Sequence, residues 1–241
     1  MTAALQVLVR SVPAPEAVPI EGGGFFFRFK EKTVHQALVQ KLARVVSGLN
    51  AVRVLHDAGF IQEQGAIQRM LDEFEEDINF LSLAEITGKR TPSHDNYLMW
   101  FWQEEYADPR RPAETRIARA MVPRKQIRAY IASADSVTGD RASFAAVMET
   151  LSKTYSGYVH GASPHCMEMW GGDPQRFHVE GMQGTLPWFD HFTDIFNYVY
   201  RGLLCFALAA RAFGNEQLFN ELRAFGGHMD RQQDAWDAAA R

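Results

Sequence analysis

The chain has 241 residues, 46% hydrophobic and 22% charged, with Lys+Arg 25 against Asp+Glu 29 and a formal net charge of −4. These are globular values and exclude a disordered chain, while Gly 18, Pro 10 and Cys 2 exclude collagen-like and disulfide-scaffold classes. The acidic balance argues against a protein built mainly to grip phosphate backbones, although a local basic patch could override it.

Residues 1–30 read as irregular, because Pro13, Pro15 and Pro19 precede Gly22-Gly23-Gly24. Phe25-Phe26-Phe27-Arg28-Phe29 reads as a strand or as a staple on the core. From Glu31 the pattern turns helical. Val34, Leu38, Leu42, Val45, Leu49, Val52 and Leu55 share one face up to a stop at Gly59. A second helix follows over about 63–84, with Ile67, Leu71, Phe74, Ile78 and Leu81 on its stripe and Gly88 beyond its end. A third begins at Thr91-Pro92-Ser93, with Ser93 as N-cap, and runs to about Tyr106.

Asp108-Pro109 and Pro112 mark a loop. A helix from about Ala113 is interrupted at Pro123, which opens a new helix reaching Ser133. Thr138-Gly139-Asp140 is a turn. Phe144, Met148, Leu151, Tyr155 and Tyr158 form the next helical stripe, ending near His160-Gly161. Residues 161–187 read as a loop with a small hairpin around Gly171-Gly172-Asp173-Pro174. A long central helix spans 188–213, and a short one through Phe225 is stopped by Gly226-Gly227. The expectation is all-α: a single bundle-like domain of about seven helices over 31–241, preceded by the irregular segment 1–30.

Cys166 and Cys205 lack metal-type spacing and fit a reducing compartment. The N-terminus lacks the basic region of a signal peptide. The most apolar stretch, Tyr198 to Phe213, is too short for a membrane span and carries Arg201 and Arg211. The expected location is therefore cytoplasmic, with no membrane partner.

Five features could carry chemistry. In the first, Ser156 and His160 are four apart on one helix face, next to Tyr155, where a histidine could act as acid or base. The plain alternative is a solvated histidine at a helix C-terminus. The second is a His-rich stretch holding His160, His165, His178 and His191 with Cys166, Glu168, Glu180, Asp190 and Asp194. These are zinc- or iron-type ligands without a recognised spacing. His160, His165 and His178 are the metal alternative, set against an ordinary polar loop.

The third is the acidic run Asp72-Glu73-Phe74-Glu75-Glu76-Asp77 beside Arg69, a metal or base site if not a solvated helix face. The fourth is the basic segment with Arg110, Arg111, Arg116, Arg119, Arg124, Lys125 and Arg128. It would bind phosphates or pack internally against the acidic helix. The fifth is Arg223…His228, a phosphate-directed pair unless the glycines separate it. His56 lies on an apolar face and reads as a core histidine.

Two segments, Ala66-Ile67-Gln68-Arg69-Met70-Leu71-Asp72-Glu73-Phe74 and Ser156-Gly157-Tyr158-Val159-His160-Gly161-Ala162-Ser163, resemble a family of uncharacterised bacterial all-helical proteins. That domain of unknown function carries an Arg-x-x-x-Glu helix and a later Ser-x-x-x-His segment. The resemblance would cover roughly 31–213 and carries over Arg69, Glu73, Ser156 and His160; it implies no activity. A weaker likeness, through Arg223…His228, is to the higher eukaryotes and prokaryotes nucleotide-binding (HEPN) superfamily, some of whose members are ribonucleases. Ala224 and the paired glycines depart from that pattern.

Three functions are therefore expected in order. First is a binding or regulatory module, with a protein partner or a small phosphate ligand. Second is an enzyme or phosphate-ligand binder near His160. There His160 and Ser156 would be catalytic with Glu73, and Arg69 and Tyr155 would bind the ligand. Third is a metal-dependent hydrolase. The residues assign no cofactor and do not favour nucleic acid.

Overall fold

A computed structural model describes residues 1–20, 23–106, 111–114, 121–134 and 141–239. The N-terminal segment is ordered rather than irregular. Helix α1, Thr2–Val9, buries Ala4 and Leu8 in the core. Strands β1, Glu16–Pro19, and β2, Phe25–Arg28, pair antiparallel from Glu16↔Arg28 to Pro19↔Phe25. The prolines and glycines punctuate this hairpin rather than abolish structure. Gly23 and Gly24 take the positive φ that its turn requires.

Helix α2, Val34–Asp57, starts with a reciprocal cap between Thr33 and Gln36. Helix α3, Ile61–Thr87, ends at Gly88 in the left-handed conformation. Helix α4, Pro92–Phe101, is capped by Thr91 with His94 rather than by Ser93, and stops short of Tyr106. Of the helix expected from Ala113, only a 3-10 turn at Pro112–Glu114 falls on described residues. Pro123 is the N-cap of α5, Arg124–Ser133. The turn expected at Thr138-Gly139-Asp140 lies outside the described residues. Helix α6 spans Arg141–His160.

The 161–187 stretch holds the expected hairpin, β3 Trp170–Gly171 with β4 Arg176–Phe177, and also a short unexpected helix, α7, Ser163–Met167. Helix α8, Leu186–Ala212, is capped by Thr185, and α9 runs Glu216–Ala239. Helix α9 continues through Gly226-Gly227, where a stop was expected. Gly226 is buried, and a Cβ there would sit 3.6 Å from Leu203 of α8. That is ordinary contact distance, so the packing does not demand a glycine and the helix carries its propensity cost of about 1 kcal/mol.

The described residues thus form nine α-helices and two small hairpins, against the seven helices expected. The fold is all-α in its bulk. Helix α3 is central and packs against α2, α5, α6 and α8. Leu42, Leu71, Ile78 and Phe206 lie fully inside. No helix among the described residues is long and apolar enough to cross a membrane.

Candidate functional site

Two polar networks meet α3. The first is the acidic run, expected as a solvated face and found buried: Asp72 2%, Glu75 2%, Glu76 1% and Asp77 0% exposed. With neighbours on several sides, α3 keeps little solvent face, and its neighbours bring the counterions. Lys41 of α2 donates to Asp77 at 2.7 Å, and Arg124 of α5 reaches the other Asp77 oxygen at 2.6 Å. Arg128 of α5 holds Glu76 at 2.7 Å. Arg201 of α8 spans Asp72 at 2.8 Å and Glu75 at 2.6 Å, and the Tyr198 hydroxyl donates to Asp72 at 3.0 Å. Arg69 pairs with Glu73 at 2.9 Å, and Glu73 faces Arg124 at 3.5 Å.

Five carboxylates therefore face five cations. Of the two accounts of the basic segment, Arg124 and Arg128 follow the internal one. Arg111 pairs with Glu114 at the surface, and Arg110, Arg116 and Arg119 lie outside the described residues.

Burial sets the protonation of this lattice. It pushes Glu75 up to about 8, opposed by Arg201 and reinforced by Asp72 and Glu76. Burial likewise raises Asp72 and Glu76 against the pull of their arginines. Burial alone would lower Arg201, but Glu75 and Asp72 outweigh it and hold the guanidinium charged. The Gln68 side chain, fully buried beside this lattice, has no hydrogen-bond partner for either amide atom.

The second network is half-buried and joins α6, α7, α8 and the start of α3. The Tyr158 hydroxyl lies 2.9 Å from Glu168 Oε2 and 3.0 Å from His191 Nε2. His191 Nδ1 faces Asp194 at 3.7 Å, and Tyr155 donates to Asp194 at 2.5 Å. Gln62 donates to the His165 carbonyl at 2.8 Å and to Glu168 at 3.3 Å. The contact of α6 with α3 is tight, since a Cβ on Gly65 would lie 2.7 Å from the Tyr158 ring.

Burial lowers the His191 imidazole, with Asp194 and Glu168 opposing, so the neutral ring is favoured. Burial and the carboxylates raise both tyrosines. A neutral His191 has two arrangements here. With the proton on Nε2, Tyr158 accepts from the ring and donates to Glu168. With it on Nδ1, the N–H faces Asp194 and Tyr158 donates to the ring. Conversion of one into the other removes a proton at one ring nitrogen and adds one at the other.

The residues singled out in the sequence divide between these networks. Tyr155 belongs to the second. Arg69 and Glu73 belong to the first, bound to each other. Ser156 is half-buried and His160 exposed, and neither side chain hydrogen-bonds to the second network among the described residues. His165 Nε2 sits 3.2 Å from the Thr154 carbonyl, while His178 lies against Gly172.

Thus His160, His165 and His178 do not converge. Among the described residues no group of three or more His, Cys, Asp or Glu side chains is placed to hold a metal ion. Arg223 and His228 share one continuous helix, but five residues turn them about 140° apart, and both are exposed. His56 is a core histidine, stacked on Trp188 at 5.0 Å with Nδ1 3.2 Å from Gln64 Oε1.

Tyr158 and Gln62 were not foreseen as site residues. Tyr158 read as part of an apolar stripe, and only its hydroxyl distinguished it. His191, Glu168 and Asp194 were visible as members of the His-rich stretch, though not as a set apart from it. Compared with known protein families, curated proteins and solved structures, the chain matches none.

Proposed function

We propose that this protein is a helical binding or regulatory module whose ligand site is the cluster of Tyr158, Glu168, His191 and Asp194. The observation that carries this reading is the buried His191, whose Nε2 lies 3.0 Å from the Tyr158 hydroxyl while its Nδ1, 3.7 Å from Asp194, has no hydrogen-bond partner among the described residues. Each carboxyl group of the α3 lattice already has a cation against it. With Tyr155 on Asp194, the cluster has two carboxylates, two hydroxyls and a neutral ring, with Asp194 32% exposed. Such a set suits a small polar ligand rich in N–H or O–H donors. A phosphate ligand is less suited, because Arg69, Arg124 and Arg128 are already paired. A cytoplasmic location accords with the two free cysteines.

The test is a thermal-shift screen against polyamines, amino sugars, nucleotides, short RNAs and divalent metals, repeated on Tyr158→Phe. A ligand at 100 times its dissociation constant stabilises the native state by about 2.7 kcal/mol. The expected result is a shift in the wild type that Tyr158→Phe loses while remaining folded. No shift with any compound overturns the reading.

A second reading, an enzyme, is favoured by the hydrogen-bonded chain of Glu168, Tyr158 and His191. It moves the catalytic centre from His160 to His191. Under it, His191→Gln still binds the ligand found in the screen but does not convert it. Conversion that survives His191→Gln and stops in His160→Ala would restore the first assignment.

A further inference from the structure

The β1–β2 hairpin stands over the C-terminal end of α4. Arg28 of β2 clamps Glu104 through Nε and Nη2, at 2.7 and 2.9 Å, while its Nη1 donates to the Phe27 carbonyl. Between hairpin and helix lies a cavity of about 500 Å³, and next to it one of about 750 Å³. Both share Lys32, Trp102, Gln103 and Glu104. Their sizes fall in the range of small-molecule sites.

The walls of the first cavity combine four aromatic rings with Arg28, Lys32, Glu104 and Glu105, and Arg28 engages Glu104. Trp102 is fixed edge-on between Phe29 at 6.3 Å and Phe101 at 4.9 Å. Phe27 lines the cavity from the hairpin and is 59% exposed.

Lys32 lies where the two cavities meet. It is the one non-glycine among the described residues with positive φ, +55°, a conformation that glycine or asparagine adopts more readily. Lysine is thus kept at a position where its backbone is strained, a pattern associated with functional positions. It forms no ion pair among the described residues. Its ammonium only helps Arg28 hold the Glu104 carboxyl below its ordinary range. On the outer side Arg90 adds a cation, paired with Asp95 at 2.6 Å.

We propose that this cleft is a second ligand site, taking a planar aromatic group that carries an anion. The ring lies between Phe27 and Trp102, and the anion meets Lys32. The Arg28–Glu104 clamp is 43% and 52% exposed, so the hairpin adjusts around an entering ring at low cost. A nucleoside monophosphate and a simple aromatic carboxylate share this chemistry.

Isothermal titration of the full chain with AMP and with indole-3-carboxylate, against adenosine and indole as uncharged controls, tests the assignment. At least one anion binds, about ten-fold more tightly than its uncharged control. Binding of AMP alone identifies a nucleotide site, and binding of the indole acid alone a small aromatic acid site. Lys32→Asn keeps the left-handed backbone and the melting temperature, and brings the anion down to the level of its control. Phe27→Ala, at an exposed position, weakens charged and uncharged probes together. Absence of heat from both anions at millimolar concentration overturns the proposal, as does an affinity that Lys32→Asn leaves unchanged.

Discussion

The two networks on α3 use the same residue types for opposite ends. Along Asp72–Asp77 each carboxylate meets a cation from a neighbouring helix, so the charges lock helices together. Around Tyr158 and His191 the carboxylates meet hydroxyls and a neutral imidazole, with no Lys or Arg paired to them among the described residues. The difference teaches that burial alone does not mark a site. What marks it is burial combined with incomplete charge matching and partial access to solvent.

The largest expected effect comes from removing one cation of the lattice. Arg201→Met leaves Asp72 and Glu75 buried without their shared partner, and should destabilise the protein by about 3–5 kcal/mol in a urea melt. A loss under about 1 kcal/mol would mean that the lattice does not lock the helices.

Next come the pH responses, which should have opposite signs. Glu75 ordinarily titrates near 4.5 and is raised to about 8, so the folded state binds its proton more tightly. That contribution is present below pH 4.5 and lost as pH rises toward 8, with a slope no steeper than about 1.4 kcal/mol per pH unit. His191 is lowered from 6.5, so its contribution is present above that value and lost as pH falls below it. Stability measured from pH 4 to 9 should lose its fall between about pH 4.5 and 8 in Glu75→Gln and its rise below pH 6.5 in His191→Gln. Identical profiles for the two variants would erase the distinction between the networks.

Smaller still, Tyr158→Phe removes one hydroxyl from a half-buried hydrogen bond and should cost about 1 kcal/mol in thermal unfolding. His160→Ala, at an exposed position, should change stability by less than about 0.5 kcal/mol. A larger effect there would bring His160 back into the working part of the molecule.

Much of the helical frame was legible. The Val34-to-Leu55 stripe became α2, the Ile67-to-Leu81 stripe lies in α3, and the apolar run after Val199 became the buried half of α8. Each is a long segment with an unbroken period, where burial on one side decides the outcome. Glycine and proline were harder. Gly88 ends its helix in the left-handed conformation, whereas Gly226 lies inside one. Gly23 and Gly24 turn a hairpin rather than begin a coil.

The acidic run was misplaced because periodicity assigns polar residues to the side away from the apolar stripe and takes that side to be solvent. For a helix with neighbours on several sides, that side is more protein. The clue was the basic segment carrying Arg124 and Arg128, whose complementarity is readable but whose docking is not. The second network draws on positions from 62 to 194, and no local spacing links Gln62 to His191.

The lattice also constrains the order in which the chain can close. When a growing chain has produced α2 and α3, it holds all five carboxylates from Asp72 to Asp77 but only Lys41 and Arg69 of their five cations. Arg124 and Arg128 arrive some fifty positions later, and Arg201 about 125 positions after the last carboxylate. Until then α3 carries adjacent like charges that disfavour its own helix and must stay hydrated. The α2–α3 pair is therefore poorly suited to persist as a finished subunit of the fold, and its completion is timed by the synthesis of α8.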